Sequence, residues 1–160
     1  LKEVFGNKGV KSYTLDTSVN ELSARTNQYL ATLFNRDIRY RLALETINSK
    51  GDAKQSLTNQ IFDGPLEISL ASLSGGAQKR VSLAVSLALG DLISARANRS
   101  FNVMFMDEVS DSLDSASKSN YMETLKAIST KKDSILVIDH ISDYAALFDH
   151  VIKIEKFLKR

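Results

Sequence analysis

Residues 101–108 read F-N-V-M-F-M-D-E, an apolar run that stops at two carboxylates. A run this short and apolar suits a strand in a parallel sheet, where helices cover both faces. Open α/β sheets bind ligands at the carboxyl ends of their strands, so Asp107 and Glu108 stand where such a sheet does chemistry. The neighbouring segments fit the same plan. Residues 79–95 form a long helix, apolar on nearly every side and so expected to be buried. Residues 115–129 form another helix, and 134–138 a second buried strand that ends at Asp139 and His140. A short helix over 142–148 and a last strand over 151–154 complete the series. Strand and helix alternate, which predicts an α/β fold with a mostly parallel sheet and flanking helices.

The first half has another rhythm. Residues 1–5 read as the last turn of a helix that Gly6 terminates. Asp16, Thr17 and Ser18 offer caps for a second helix, with Val19, Leu22, Tyr29, Leu30, Leu33 and Phe34 at helical spacing. From Ile38 to Thr46 the period becomes two, the mark of a half-buried strand. A polar turn over 49–53, a strand over 57–62, a turn at Asp63-Gly64-Pro65 and a strand over 66–70 predict a small antiparallel sheet. The chain thus divides into a helical segment (1–34), a small antiparallel sheet (35–72) and an α/β core (73–160), within one domain.

Composition narrows the class. With 160 residues, 43% apolar and 25% charged, the chain can bury a real core and is neither disordered nor a coiled coil throughout. It lacks cysteine, which excludes disulfides and thiolate metal sites. A net charge of +2 neither demands nor excludes a nucleic-acid partner. Neither a signal-peptide core nor a membrane-length apolar stretch is present, so an intracellular protein, cytoplasmic or nucleoid-associated, is expected. The first residue is Leu rather than Met, which suggests a piece of a longer chain.

Four segments carry the chemistry. Residues 73–80, L-S-G-G-A-Q-K-R, place two glycines before a helix whose first N–H groups lack intrahelical partners. That is a phosphate cradle, or a plain glycine turn with Ser74 as cap. Asp107 can orient Mg2+ and Glu108 can polarise an attacking water, or both are solvated acids at a strand end. The segment S-D-S-L-D over 110–114 is either a polar cap for the next helix or a loop that crosses a dimer interface. His140 follows a strand and is either an ordinary loop residue or a hydrogen-bond donor to a γ-phosphate. His150 is assigned a structural role.

In this order and context, the four segments resemble the C-terminal half of an ABC ATPase. The resemblance covers roughly residues 73–154. Leu73 to Gly76 is similar to the signature motif, Asp107 and Glu108 to the Walker B pair, the segment from Asp111 to Asp114 to the D-loop, and His140 to the switch histidine. It implies that Ser74, Gly75 and Gly76 contact the γ-phosphate of ATP held by an opposite subunit, and that Glu108 is the general base. Ala77 stands where Glu or Gln commonly follows the glycines, so that a polar contact near the nucleotide is lost, and Gln78 either replaces it or does not. No segment fits the P-loop pattern G-x-x-x-x-G-K-[ST]; G-N-K-G-V-K-S over 6–12 has the wrong glycine spacing.

The long signature helix, the small sheet before it and D-E-V-S-D-S-L-D over 107–114 resemble the SbcC-type repair ATPases more than transporters. That resemblance implies the C-terminal lobe of a split head, with a long coiled coil between the two lobes. The implied partners are an N-terminal P-loop lobe of the same protein, a second head, a metallophosphatase-type nuclease and DNA, with no membrane. Two ATP molecules with Mg2+ would lie between paired heads, and the isolated lobe would be inactive. The alternatives are the head of another SMC-like protein (condensation, RecF-like or RecN-like) and a non-hydrolysing scaffold. Arg36, Arg39 and Arg41, with Lys131 and Lys132, are the candidate DNA contacts, or a solvated face.

Overall fold

A computed structural model of the chain describes residues 10–49, 52–99, 101–108, 113, 115–130, 132–140 and 142–154. The expected helix turn over 1–5 and its Gly6 stop lie outside the described residues.

Helix α1, Val10–Leu33, is longer at its start than the cap residues suggest. Thr17 and Ser18 do not cap it. Their hydroxyls donate to the carbonyls of Tyr13 and Thr14, one turn back within the helix. Val19, Thr26, Leu30 and Leu33 form its buried stripe. Strands β1, Ile38–Ser49, and β2, Asp52–Asp63, pair antiparallel from Ile38↔Asp63 to Ser49↔Asp52. They run into the stretch read as a polar turn, because a continuous ladder pairs the backbone whatever the side chains. Of that turn, Lys50 and Gly51 lie outside the described residues. The turn at Asp63-Gly64-Pro65 places Gly64 at φ 58, and its N–H donates to Asp37 O at 2.8 Å. Strand β3 spans Leu66–Ile68, where Ile68 pairs with Ile61. It stops short of Leu70 because residues Leu70–Ser72 turn into a 3-10 helix, with Ser69 Oγ accepting from Ala71 N.

Helix α2 runs Gly75–Ala97 and is capped by Ser74 and by Asn98, which adopts the left-handed conformation. Both glycines therefore lie in its first turn rather than in a loop. Its burial is one-sided: Ala77, Val81, Ala84, Leu87 and Ala88 are buried, whereas Leu89 and Ile93 are about half exposed. Strand β4, Val103–Asp107, pairs in parallel with β5, Ser134–Ile138, in register from Val103↔Ser134 to Asp107↔Ile138. Helix α3, Ser115–Ser129, is the crossover between them.

The two parallel strands are not buried on both faces, contrary to their apolar sequence. Met104, Met106, Ile135 and Val137 face the core, and the Tyr121 hydroxyl donates to Met106 Sδ at 3.4 Å. Burial, and then the nearby Asp139, push the Tyr121 phenol pKa up. Phe105, Val103, Leu136 and Ile138 point to the open face, with Phe105 72% exposed. A 3-10 helix follows at Ser142–Leu147, over most of the short helix expected there. Residues 151–154 form no strand: Val151, Ile152 and Ile154 are exposed and no ladder partner lies beside them among the described residues.

The core joins α1, β1, β2, α2, β4 and α3 in one cluster that includes Leu30, Phe34, Tyr40, Ala84 and Tyr121. Tyr29 ties α1 to α2 by donating to Asp91 Oδ2 at 2.6 Å. Burial raises its phenol pKa, and the Asp91 carboxylate raises it further.

Candidate functional site

The parallel pair puts its two carboxyl ends side by side, so residues just beyond each strand must meet. Asp107 is the last residue of β4 and is exposed. Glu108 leaves the strand at φ 48, a left-handed conformation that is uncommon for a side chain of this length. Its backbone N–H donates to Ile138 O at 2.9 Å, which extends the β4–β5 ladder by one bond. That bond fixes the backbone and aims the carboxylate across the sheet edge. Glu108 Oε1 lies 2.7 Å from His140 Nε2. The two side chains are 49% and 73% exposed, so the pair contributes little to stability and its interest is geometric.

At the start of α2, Ser74 Oγ accepts from Ala77 N at 3.3 Å, and Ser74 O accepts from Gln78 N at 2.9 Å. Gln78 Nε2 donates to Leu73 O at 2.8 Å, so this side chain folds back onto the turn. A Cβ built on Gly75 meets nothing within 4 Å, so internal packing does not require a glycine here. The exposed first turn offers backbone N–H groups and a partial positive charge to a ligand from outside.

A groove of ≈ 640 Å³ runs between α2 and β4. Ser82, Ser86 and Gly90 line its helix side, Phe101, Val103 and Phe105 its strand side, and Asp107 and Glu108 lie at one end. Ser74, Gly75, Gly76 and Gln78 do not line it. The chain therefore brings Asp107, Glu108 and His140 together at one sheet edge and holds the Ser74–Gln78 turn apart from that groove. Asp111 and Asp114 lie outside the described residues. No group of three or more His, Cys, Asp or Glu residues could hold a metal among the described residues. His150 is exposed just before residues 151–154.

Arg36, Arg39 and Lys132 of the basic clusters have partners. Arg36 pairs with Asp63 at 2.9 Å, and Arg39 with Asp37 at 3.4 Å and with the Gly64 carbonyl. Lys132 Nζ donates to Phe101 O at 2.7 Å, and Lys131 lies outside the described residues. Arg41 is exposed on the sheet. Sequence reasoning missed Arg80, which reaches from α2 to the end of α1. Its Nη1 donates to Leu33 O at 3.1 Å, and its guanidinium carbon stands 4.2 Å from the Phe34 ring centre. The one signal for it in the sequence is its place one helical turn after Gly76.

Fold and site edge together define an α/β lobe with two carboxylates and a histidine at the carboxyl ends of a parallel strand pair. A solved structure, "Structural biochemistry of ATP-driven dimerization and DNA stimulated activation of SMC ATPases", superposes with a TM-score of 0.70 at 20% identity, over 91% of this chain and 83% of that one. At that identity the likeness concerns the fold. The chain belongs to the family "SbcC/RAD50-like, Walker B motif", whose model matches residues 35–127. It is 36% identical over 88 residues (54% of this chain) to a protein of Aquifex aeolicus named "Probable DNA double-strand break repair Rad50 ATPase". It is 29% identical over 151 residues, 89% of this chain, to the SbcC component of the SbcCD nuclease of Staphylococcus aureus. The matches span only 9% and 15% of those two proteins' lengths. No helix among the described residues is long and apolar enough to cross a membrane.

Proposed function

We propose that this chain is the C-terminal lobe of an ATP-binding and ATP-hydrolysing head in a nuclease complex that repairs or recombines broken DNA. The observation that carries the reading is the 2.7 Å contact between Glu108 and His140 at the carboxyl ends of two parallel strands. Family membership and the names of its relatives, a Rad50 ATPase and a component of the SbcCD nuclease, support it. In this reading Glu108 accepts the proton of the attacking water, and His140 orients that carboxylate and donates toward the transferred phosphoryl group. Ser74, Gly75 and Gly76 serve the nucleotide of a second head, with Gln78 holding the turn behind them. Asp111 and Asp114 belong to the loop between the heads.

The donor set fits Mg-ATP as half of a site. Mg2+ takes one or two carboxylates together with phosphate oxygens and water, and Asp107 supplies one exposed carboxylate at the strand end. When bound, ATP supplies the γ-phosphoryl group and Mg2+ offsets its charge. The phosphate-cradling P-loop comes from an N-terminal lobe of the same protein, beyond a coiled coil. The open faces of β4 and β5 and the groove beside them suit that lobe: Phe105, Ile138 and Leu136 are apolar and exposed, and Ser82, Ser86 and Gly90 admit close approach. The remaining partners are a second head, a metallophosphatase-type nuclease and DNA. Arg36, just before β1, and Arg39, on it, are salt-bridged yet about half exposed, and stand as the candidate DNA contacts.

Turnover by the whole protein tests this reading. A Glu108→Gln substitution lowers ATP hydrolysis by about 10²–10⁴-fold, with ATP binding retained. Parental turnover in that variant would mean that Glu108 is not the general base, and absence of turnover in the parent would leave the non-hydrolysing scaffold as the better description. The SMC-type fold likeness favours a second reading, the head of another SMC-like protein. ATP-dependent stimulation of a nuclease partner separates the two.

A further inference from the structure

We propose that Arg80 is the positioning residue of the turn formed by Ser74, Gly75 and Gly76, and that it sets this turn against the end of α1. The proposal rests on the reading that this turn meets a nucleotide on a second head. Two glycines make a first helical turn that is weakly constrained by itself. Packing holds its flanks, where Leu73 and Ala77 are buried, but leaves Ser74 and Gly75 exposed, with open space around a Gly75 Cβ. The contacts that reach its exposed part are polar. Ser74 and Gln78 close it locally. Arg80 alone among these three connects it to another element.

The connection uses Nε, Nη1 and the face of the guanidinium. Nε lies 3.4 Å from Gly76 O, a long contact, and Nη1 donates to Leu33 O at 3.1 Å. The same group covers the Phe34 ring at 4.2 Å. Leu33 is the last residue of α1, so its carbonyl has no intrahelical donor, and a cation there complements the helix dipole. Leu33 and Phe34 are buried, which makes them a rigid anchor. A planar group can stack on the ring and donate at its edge simultaneously; an ammonium cannot reproduce both contacts. The position of the glycine turn is thereby referred to the α1 end, away from Asp107, Glu108 and His140. Loss of Arg80 disturbs pairing of heads and leaves nucleotide binding within one head intact.

The test uses the full-length protein carrying Glu108→Gln, which holds the paired state. Pairing is followed by light scattering during ATP titration, and ATP binding to the unpaired protein by a fluorescent ATP analogue at low protein concentration. Arg80→Met raises the ATP concentration for half-pairing roughly tenfold, the scale of one charged hydrogen bond plus one cation–π contact. Analogue binding stays at the parental value, and the thermal midpoint falls only modestly as the contacts to the α1 end are lost. Arg80→Lys restores part of the loss, and Phe34→Leu shifts pairing in the same direction by less. Pairing by Arg80→Met at the parental ATP concentration overturns the proposal. So does a parallel fall in pairing, analogue binding and thermal midpoint, which makes Arg80 structural only. If Arg80→Met does not fold, Phe34→Leu decides, and parental pairing there overturns the proposal. A Glu108→Gln parent that never pairs with ATP overturns the underlying reading, whatever the Arg80 variants do.

Discussion

Glu108 and His140 are 32 residues apart in sequence, yet their side chains meet at 2.7 Å, because β4 and β5 end in register and each residue follows its strand closely. The contact is exposed, so it is expected to matter for turnover and hardly at all for folding. His140→Ala should lower ATP hydrolysis by the whole protein by about 10²-fold, within the range of positioned acid–base groups. Combined with Glu108→Gln it should cost little more than Glu108→Gln alone, because the two act as a unit. Full additivity in a steady-state ATPase assay would separate their roles.

The left-handed backbone at Glu108 suggests stored strain of about 1–3 kcal/mol. Asn tolerates that conformation better than Glu. Glu108→Asn should therefore unfold at the parental temperature or higher while hydrolysis is lost. Calorimetry checks this, and a clear drop in the unfolding midpoint would mean that the backbone there is unstrained.

Ser74 has a folding role separable from its proposed nucleotide role. Its hydroxyl caps α2 through Ala77 N. Ser74→Ala should cost about 1 kcal/mol in urea unfolding, and Ser74→Thr much less. No difference between the two would mean that the cap contributes nothing.

The uncovered sheet face gives a prediction that changes sign with context. Phe105 is 72% exposed in this chain. Phe105→Lys should reduce self-association of the isolated chain, since it breaks an apolar patch. In a protein containing both lobes, the same change should destabilise by about 2–4 kcal/mol, as a charge would be buried. Chemical unfolding of both forms measures it, and equal behaviour would mean that this face is open in the whole protein.

How far the chain was legible depended on what each signal reports. Residues 115–129 and 134–138 were readable to the residue, as α3 and β5. The start of α1 was misplaced because Thr17 and Ser18 are as content bonding one turn back as capping. The full burial expected of Val103, Phe105 and Ile138 is absent, because apolarity reports what a residue prefers and not whether a partner is present. For the same reason Val151 and Ile152 did not become a strand. The Glu108–His140 juxtaposition was implicit in motif order, whereas Arg80 on Phe34 was invisible, since it needs the crossing of α1 and α2. Asp111 and Asp114 stand as sequence expectations alone.

Everything proposed for this lobe turns on whether Ser74, Gly75 and Gly76 complete a nucleotide site on another head. Joining the lobe to its native P-loop lobe, introducing Glu108→Gln and reading molecular mass by light scattering with and without Mg-ATP decides it. The expected result is a dimer only with Mg-ATP, and a monomer under both conditions once Ser74→Arg is added. A monomer throughout, or a dimer indifferent to both ATP and Ser74→Arg, would contradict it.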